Sequence, residues 1–526
     1  MNDIASFRAT VEAFLSTHAL SPSRFGSEIA GDPQFVFDLR DGREPRSDTR
    51  TRILKAMQDF ADARAGSVAP FRVGVAGLGT VGAALVRMLL NDQPIVLRRG
   101  GRPIVATHVA ARNRNKDRGV DLSGSIWMDD AVALARDAEI DLFVELIGGE
   151  DGPAYAAIRA ALERGVPVVT ANKALLAKHG VELARIAEAS GTSIGFEAAV
   201  AGGIPVIKTL REGLGSASIT RVYGIMNGTC NYILTRMAES GGGRDGRGKS
   251  GRWPANYDNE DGMSFEACLK EAQELGYAEA DPTFDVEGYD TAHKLAILTT
   301  LCFQTEIAPG QMLIEGISHI NQVDIKVAAD LGYKIKLLGI AERKPDGVEQ
   351  RVHPTLVPKN SAIAGVDGVL NAIALETDYV SELLLAGPGA GGDATAASVL
   401  SDILDMVRGH KVPPLGVPAG QLKPYRAAAI RAHAGGYYIR LQARDVPGAL
   451  ASIASHMAAG GISIESVIQR PDLQTLTGDD GSSEFRTIVI ITHDTTEDAV
   501  RSALAKIAGD GFTSGMAQLI RIEALG

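Results

Sequence analysis

FRVGVAGLGTVGAALVRMLL, residues 71–90, decides the fold class. An apolar run leads into a glycine turn, and a second run with helical periodicity follows, so the stretch predicts strand, turn and helix. Gly77, Gly79 and Gly82 stand in G-x-G-x-x-G register. The first glycine permits a tight turn, the second lets backbone N–H groups approach a pyrophosphate, and the third lets the helix pack on the strand. The positive N-terminus of that helix faces the anion. The expected dinucleotide cradle is Gly77, Gly79, Thr80, Val81 and Gly82, with a purely structural glycine turn as the alternative.

Further strands are expected downstream at IVATHVAAR (104–112), IDLFVELIG (140–148), VPVVTAN (166–172) and SIGFEAAV (193–200). Helical stretches at 151–164 and 175–189 lie between several of them. This alternation argues an α/β class with a parallel, doubly wound sheet, a Rossmann dinucleotide-binding domain over residues 67–198. An acidic residue at the end of the second strand would bind a ribose 2′-hydroxyl. Here the strand runs into ARNRNK, with Arg112, Arg114 and Lys116 and no acid before Asp117. Cations suit a 2′-phosphate, so NADP is expected at Arg112, with NAD the alternative; an exposed basic loop is the other reading.

The chain has 526 residues, 45% hydrophobic and 22% charged, which bounds it as a globular protein of three or four domains. A net charge of −11 argues against a generally nucleic-acid-binding surface. Cys230, Cys268 and Cys302 show no CxxC spacing, which argues against a zinc site and suits a reducing compartment. The first residues lack a signal-peptide pattern, and no apolar run is long enough for a membrane span, so a cytoplasmic location is expected.

Residues 199–386 read as a second α/β unit, interrupted by a Gly-rich, charged patch at 239–262 that is expected to be a loop. AGPGAGGDATAASVLSDILDMV (386–407) is a glycine turn feeding a helix, and residues 387–411 are expected to complete the first domain. A Pro-rich linker follows at 412–434. Residues 435–526 restart a pattern in the order βαββαβ, a ferredoxin-like unit.

The segment GYAEADPTFDVEGYDTAHK (276–294) gathers five carboxylates, Glu279, Asp281, Asp285, Glu287 and Asp290, before His293 and Lys294. Lys294 lies in an apolar helical stretch where a lone lysine needs a partner, and Asp290 at i−4 shares its face. Pro282 prevents one continuous helix, so Glu279 and Asp285 arrive from the preceding turn. A lysine held among carboxylates and beside a cofactor can move a proton to or from a reacting oxygen. A solvated acidic turn is the plain alternative, and Asp281 and Glu287 are read as turn and surface residues, His293 as packed or surface.

Taken together, GLGTVG, TANKALLA (170–177), FEAAVAGGIPVIKTL (196–210), NGTCNYIL (227–234), the long acidic motif and GPGAGGDATAASVL (387–400) resemble homoserine dehydrogenase of the type with a C-terminal ACT domain. The resemblance covers roughly residues 70–410. It implies interconversion of L-homoserine and L-aspartate 4-semialdehyde with a nicotinamide cofactor, in threonine, methionine and isoleucine biosynthesis. It implies Lys294 and Lys173 as catalytic residues, Lys173 also touching the cofactor, and Glu279, Asp285 and Asp290 as substrate-binding. It implies a monovalent cation, sodium being the expected ion, on main-chain oxygens of Glu197, Val200, Gly202 and Ile204; a turn without an ion is the alternative. Gly389 and Gly391 would bring backbone to the nicotinamide, or merely open a helix. RDVPGALASIASHMAAGGISIESV (444–467) resembles the first half of an ACT domain. That implies an L-threonine effector site at Asp445, Gly448 and Ile462 and a homo-oligomer, a dimer or tetramer; a pairing module without ligand is the alternative.

Residues 1–66 depart from the family pattern. A helix (21–30), a turn (31–34), a would-be recognition helix (35–40) and a third helix after PRSD fit a helix-turn-helix plan, with Arg40, Arg43 and Arg46 towards DNA. Nine Lys/Arg against ten Asp/Glu there leave no strong electrostatic footprint, so a structural appendage is favoured. The rival to the enzyme is an amino-acid-sensing DNA-binding regulator with a non-catalytic core.

Overall fold

The computed structural model describes residues 4–18, 20–66, 69–239, 262–428, 434–471, 473 and 484–525. The expected loop at 239–262 lies, but for its end residues, outside the described residues, as do residues 429–433 of the linker.

The class is α/β. Six strands form the first sheet: β1 (Phe71–Ala76), β2 (Ile104–Ala110), β3 (Ile126–Met128), β4 (Leu142–Glu145), β5 (Val168–Thr170) and β6 (Ile194–Gly195). Their order is β3-β2-β1-β4-β5-β6 and every pair is parallel. Apolar strands buried on both faces suit such a sheet. The order reverses between β1 and β4, and the crevice beyond the carboxyl ends of these strands is where ligands bind in open α/β sheets. On one face, Val73, Val75, Leu85 and Leu89 pack with Ala396, Val399 and Ile403 of the Gly392–Val407 helix. On the other, Phe143, Ile158, Leu162 and Leu183 belong to a core that runs on to Val222, Ile335 and Leu337 of the second sheet.

The strand expected at 193–200 ends at Gly195. The Glu197 N–H donates to Asp402 Oδ2 at 2.8 Å, and the Glu197 carboxylate turns to accept the Ile207 and Lys208 N–H groups. These bonds draw the backbone out of the sheet into a short 3-10 turn, Glu197–Ala199.

A second sheet contains β7 (Ile219–Ile225), β8 (Leu313–Ile314), β9 (Tyr333–Lys344), β10 (Gly347–Pro358), β11 (Leu370–Thr377), β12 (Ser381–Pro388), β13 (Ala434–Arg444), β14 (Ile464–Ile468), β15 (Phe485–Thr492), β16 (Thr495–Thr496) and β17 (Thr513–Ile522). Its main path runs β12-β11-β7-β9-β10-β17-β13-β15-β14. From β13 onward the order of elements is βαββαβ, with helices Ala449–Ala459 and Glu497–Gly509 and the short β16 beside β13. The two halves of this sheet join where β10 and β17 run parallel, Thr355 opposite Arg521 and Leu356 opposite Ile522.

The Tyr289–Phe303 helix lies on the β7–β9–β10 part of the sheet, and Leu295, Ile297 and Leu298 are in its core. The N-terminal unit comprises helices Ile4–His18, Pro22–Phe25, Phe35–Arg40 and Ser47–Gly66 around Phe7, Val11, Phe25, Val36, Ile53 and Met57. Its expected 21–30 helix changes to a π turn at Gly26, where a side chain would strike the Asp32 carbonyl at 2.4 Å. Among the described residues no helix is long and apolar enough to cross a membrane.

Candidate active site

Two crevice walls meet here. The first is the glycine turn after β1. Gly77 has φ +100°, and a Cβ on it would lie 2.3 Å from Leu146 O; one on Gly82 would lie 2.0 Å from Gly77 O. Only glycine fits either position, and the Thr80–Asn91 helix starts directly after Gly79. Beside this turn a cavity of about 500 Å³ is lined by Gly77, Gly79, Arg112, Lys116 and Arg118 among others. Arg118 is committed to the protein, donating to Leu78 O and Lys116 O, with its guanidinium 5.3 Å from the Trp127 ring. Arg112 is exposed at the rim. The cradle, the helix N-terminus and the cationic rim fit a dinucleotide.

The floor of this wall is built by residues that sequence reasoning did not single out. Glu145, fully buried at the end of β4, accepts from Ile147 N, Gly148 N and Thr170 Oγ1. Asn172 caps the Lys173–Ala189 helix through Leu175 N and donates to Gly149 O at 2.7 Å. Lys173 is thus the first residue of a capped helix, aimed from a fixed base.

The second wall is the amino end of the Tyr289–Phe303 helix, which starts at Gly288 with φ +86°. Asp290 is 4% exposed. Its Oδ2 lies 2.7 Å from Lys294 Nζ and its Oδ1 3.1 Å from Lys173 Nζ. Lys294 Nζ also donates to Met226 O at 2.6 Å. Burial opposes ionisation of Asp290, but the two lysines and Asn227 outweigh it and hold the carboxyl well below the usual carboxylate range.

Asn227 is the other unforeseen member. Its Nδ2 donates to Asp285 Oδ1 at 2.8 Å and to Asp290 Oδ2 at 2.9 Å, while its Oδ1 caps the Gly228–Ala238 helix through Cys230 N. Burial, with the Asp290 charge next to it, raises the Asp285 carboxyl above its ordinary value. Cys230 gives its thiol to Asp285 O at 3.2 Å, and burial pushes that thiol well up, away from the thiolate that a nucleophile needs. His293 is half-buried, edge-on to Phe284 with ring centroids 5.4 Å apart; burial and then Lys173 lower its pKa.

The structure therefore brings Lys173, Lys294, Asp285 and Asp290 together, but not Glu279. Glu279 is exposed, and among the described residues its carboxylate makes no hydrogen bond or ion pair; only its main-chain oxygen is engaged, by Gln273 Nε2. Asp281 accepts Thr283 N in a local turn. Val200, Gly202 and Ile204 fold into a turn with Ala201 at φ +54° and Gly202 at +39°. Gly389 is buried against that turn: a Cβ on Gly202 would meet Gly389 O at 2.5 Å. Gly391, at φ +118°, is exposed. Further along the chain, Asp445 is exposed, Gly448 opens the Ala449–Ala459 helix at φ +94°, and Ile462 is buried. Among the described residues no cluster of His, Cys, Asp or Glu could hold a metal ion.

Comparison with known proteins agrees with this geometry. A family model described as "Homoserine dehydrogenase, NAD binding domain" matches residues 77–197, and one described as "Homoserine dehydrogenase" matches residues 205–404. The chain is 40% identical to homoserine dehydrogenase of Neisseria gonorrhoeae over 462 residues, 87% of this chain and 99% of that one. The same identity and coverage hold for homoserine dehydrogenase of Pseudomonas aeruginosa. The crystal structure of a homoserine dehydrogenase from Thiobacillus denitrificans superposes with a TM-score of 0.77 at 40% identity, covering 87% of this chain and 99% of that one. With the dinucleotide cradle and the Lys–Asp–Lys cluster at its centre, the chain belongs to the homoserine dehydrogenases, a family of oxidoreductases.

Proposed function

We propose that this oxidoreductase interconverts L-homoserine and L-aspartate 4-semialdehyde with Lys294 moving the proton. The observation that carries the assignment is the placement of Asp290 between Lys294 Nζ and Lys173 Nζ, at 2.7 and 3.1 Å. The dinucleotide, when bound, takes the hydride from the alcohol carbon or returns it. An ammonium has three N–H donors. Lys294 uses two, on Asp290 and Met226 O, and its third meets the substrate oxygen. In reduction it protonates the nascent alkoxide; in oxidation, as a neutral amine, it removes the hydroxyl proton. Lys173 stays charged and stabilises negative charge on that oxygen. Asp285 and Asp290 face the substrate's amino group, and Glu279 reaches it only if the turn at 276–282 folds inward on binding.

NADP is the preferred cofactor, supported by the cationic rim of Arg112 and Lys116; NAD shares the same cradle. A monovalent cation, sodium being the candidate, belongs to the main chain of Glu197, Val200, Gly202 and Ile204, where successive residues at positive φ fold the backbone back on itself. The C-terminal module acts as an ACT domain for L-threonine at Asp445, Gly448 and Ile462, and its pairing makes the enzyme a homo-oligomer. The N-terminal unit is a structural appendage: Arg40 is paired with Glu12 at 2.8 Å and Arg43 with Asp38, which neutralises two of the three arginines, Arg40, Arg43 and Arg46, that a DNA reader would present.

The assay is L-homoserine oxidation with NADP+ or NAD+, followed at the nicotinamide band with and without threonine. Lys294→Ala is expected to lower kcat by about 10²–10⁴-fold, the span of general acid–base catalysis. A variant that keeps most of its turnover removes Lys294 from the role.

A further inference from the structure

Asn371, on β11, is 1% exposed, and among the described residues neither its Oδ1 nor its Nδ2 has a hydrogen-bond partner. Buried carboxamides almost always find partners, so an asparagine with both ends open calls for an explanation. Its place in the sheet supplies one. Asn371 sits one residue beyond the last β7–β11 pair, Ala372 with Ile225, and so beside Met226, whose carbonyl anchors Lys294. Its carboxamide lies flat against Gly389: a Cβ on that glycine would fall 2.0 Å from Cγ, 2.1 Å from Nδ2 and 2.4 Å from Oδ1.

The turn that covers Asn371 touches the 200–204 turn twice and the dinucleotide cradle once. Pro388 O accepts Gly203 N at 3.0 Å, Gly389 O faces Gly202, and a Cβ on Gly392 would meet Thr80 of the dinucleotide cradle at 2.8 Å. Between these anchors Gly391 is exposed at φ +118°, with open space where a side chain would be. The peptide groups flanking Gly389 are thus next to a donor and an acceptor that they do not engage.

We propose that Asn371 is a positioning residue for the dinucleotide's nicotinamide end: its carboxamide pairs with the Gly389 peptide groups only in the cofactor-bound enzyme, locking the Pro388–Gly391 turn against the cofactor. The idea rests on the reading of Gly389 and Gly391 as the wall beside the nicotinamide. Orphaned polar atoms weaken the free protein and become bonded in the complex, so part of the binding preference is stored in the unliganded fold.

The test uses the full chain, Asn371→Leu and Asn371→Ala, with NADPH affinity from nicotinamide fluorescence and Tm with and without saturating NADPH. Leu removes both orphaned atoms at similar shape; Ala removes them without added bulk. Both variants are expected to bind NADPH at least about tenfold more weakly than the wild type and to lose most of the cofactor-induced rise in Tm. The ligand-free Tm of Asn371→Leu is expected to equal or exceed the wild-type value. The proposal is overturned if both variants bind NADPH within about twofold of the wild type, or if they lose as much Tm without the cofactor as with it. A wild type that binds neither NADPH nor NADH would remove the cofactor reading itself, and this proposal with it.

Discussion

At the scale of single residues, the site depends on one amide as much as on its charges. Asn227 ties Asp285 and Asp290 together, so two carboxylates that repel each other are held in one place. Asn227→Leu leaves them without that donor. A misplacement of about 1 Å can cost about 10²-fold, and kcat/KM for homoserine should fall on that order. Because the lost hydrogen bond favoured the ionised form of Asp285, the acidic limb of the pH–rate profile should move to higher pH. An unmoved limb would show that Asp285 does not need its charge. Asp290 gives a stability test whose sign follows from its depressed pKa. The stability that it contributes is complete above the unfolded-state value of about 3.9 and is lost as pH falls from there toward the folded value. The Tm advantage of wild type over Asp290→Asn should therefore shrink below about pH 4. Lys294 and Asp290 were legible in the sequence, since i and i+4 on one helix must meet. Asn227 was not, because an N-cap asparagine looks the same whether its free N–H₂ faces water or carboxylates. Its signal was NGTC, an Asn before a helix start. Glu279 shows the converse: in a non-helical turn, proximity in sequence does not set direction, and it lies outside the cluster that its neighbours form.

At the scale of elements, glycines decide whether the strand–turn–helix can cradle a pyrophosphate. A Cβ on Gly82 would fall on Gly77 O, so Gly82→Ala must push the Thr80–Asn91 helix away from β1. NADPH binding should weaken by about tenfold or more, about 1.4 kcal/mol, as read by fluorescence titration. Unchanged affinity would mean that the phosphates are held elsewhere. The parallel sheet was legible because its strands are mostly apolar and alternate with helices. Two short strands were not. β3 holds three residues and β8 two, and both are set by neighbours rather than by their own pattern. The overlong expectation for β6 failed for a tertiary reason: Asp402, far along the chain, captures the Glu197 N–H and turns the backbone away.

At the scale of the molecule, the C-terminal module is fused to the catalytic sheet by charge as well as by backbone. Glu523 takes Arg351 at 2.6 Å and Arg221 at 2.7 Å, and Arg521 reaches Glu315 and Glu497, each at 2.6 Å. Arg351 is fully buried, so Glu523→Ala leaves its guanidinium with Glu349 alone as counter-ion inside the sheet. Removing one partner of a buried pair costs about 3–5 kcal/mol, and denaturant unfolding should show that loss across both halves in one transition. Loss confined to the C-terminal half would mean that the halves unfold separately. None of this was legible from composition, because Arg221, Arg351 and Glu315 lie in a different expected domain from the Glu523 and Arg521 that they meet. The β10–β17 seam also bears on how the protein is made and altered. β10 leaves the ribosome long before β17, so until β17 arrives the catalytic half carries an open sheet edge, with Arg351 and Arg221 still without Glu523. Cutting the chain at the Pro-rich linker would recreate that state permanently. A truncation that removes the C-terminal module would therefore yield an aggregation-prone catalytic half, so the module's role has to be probed by point changes in it rather than by its removal.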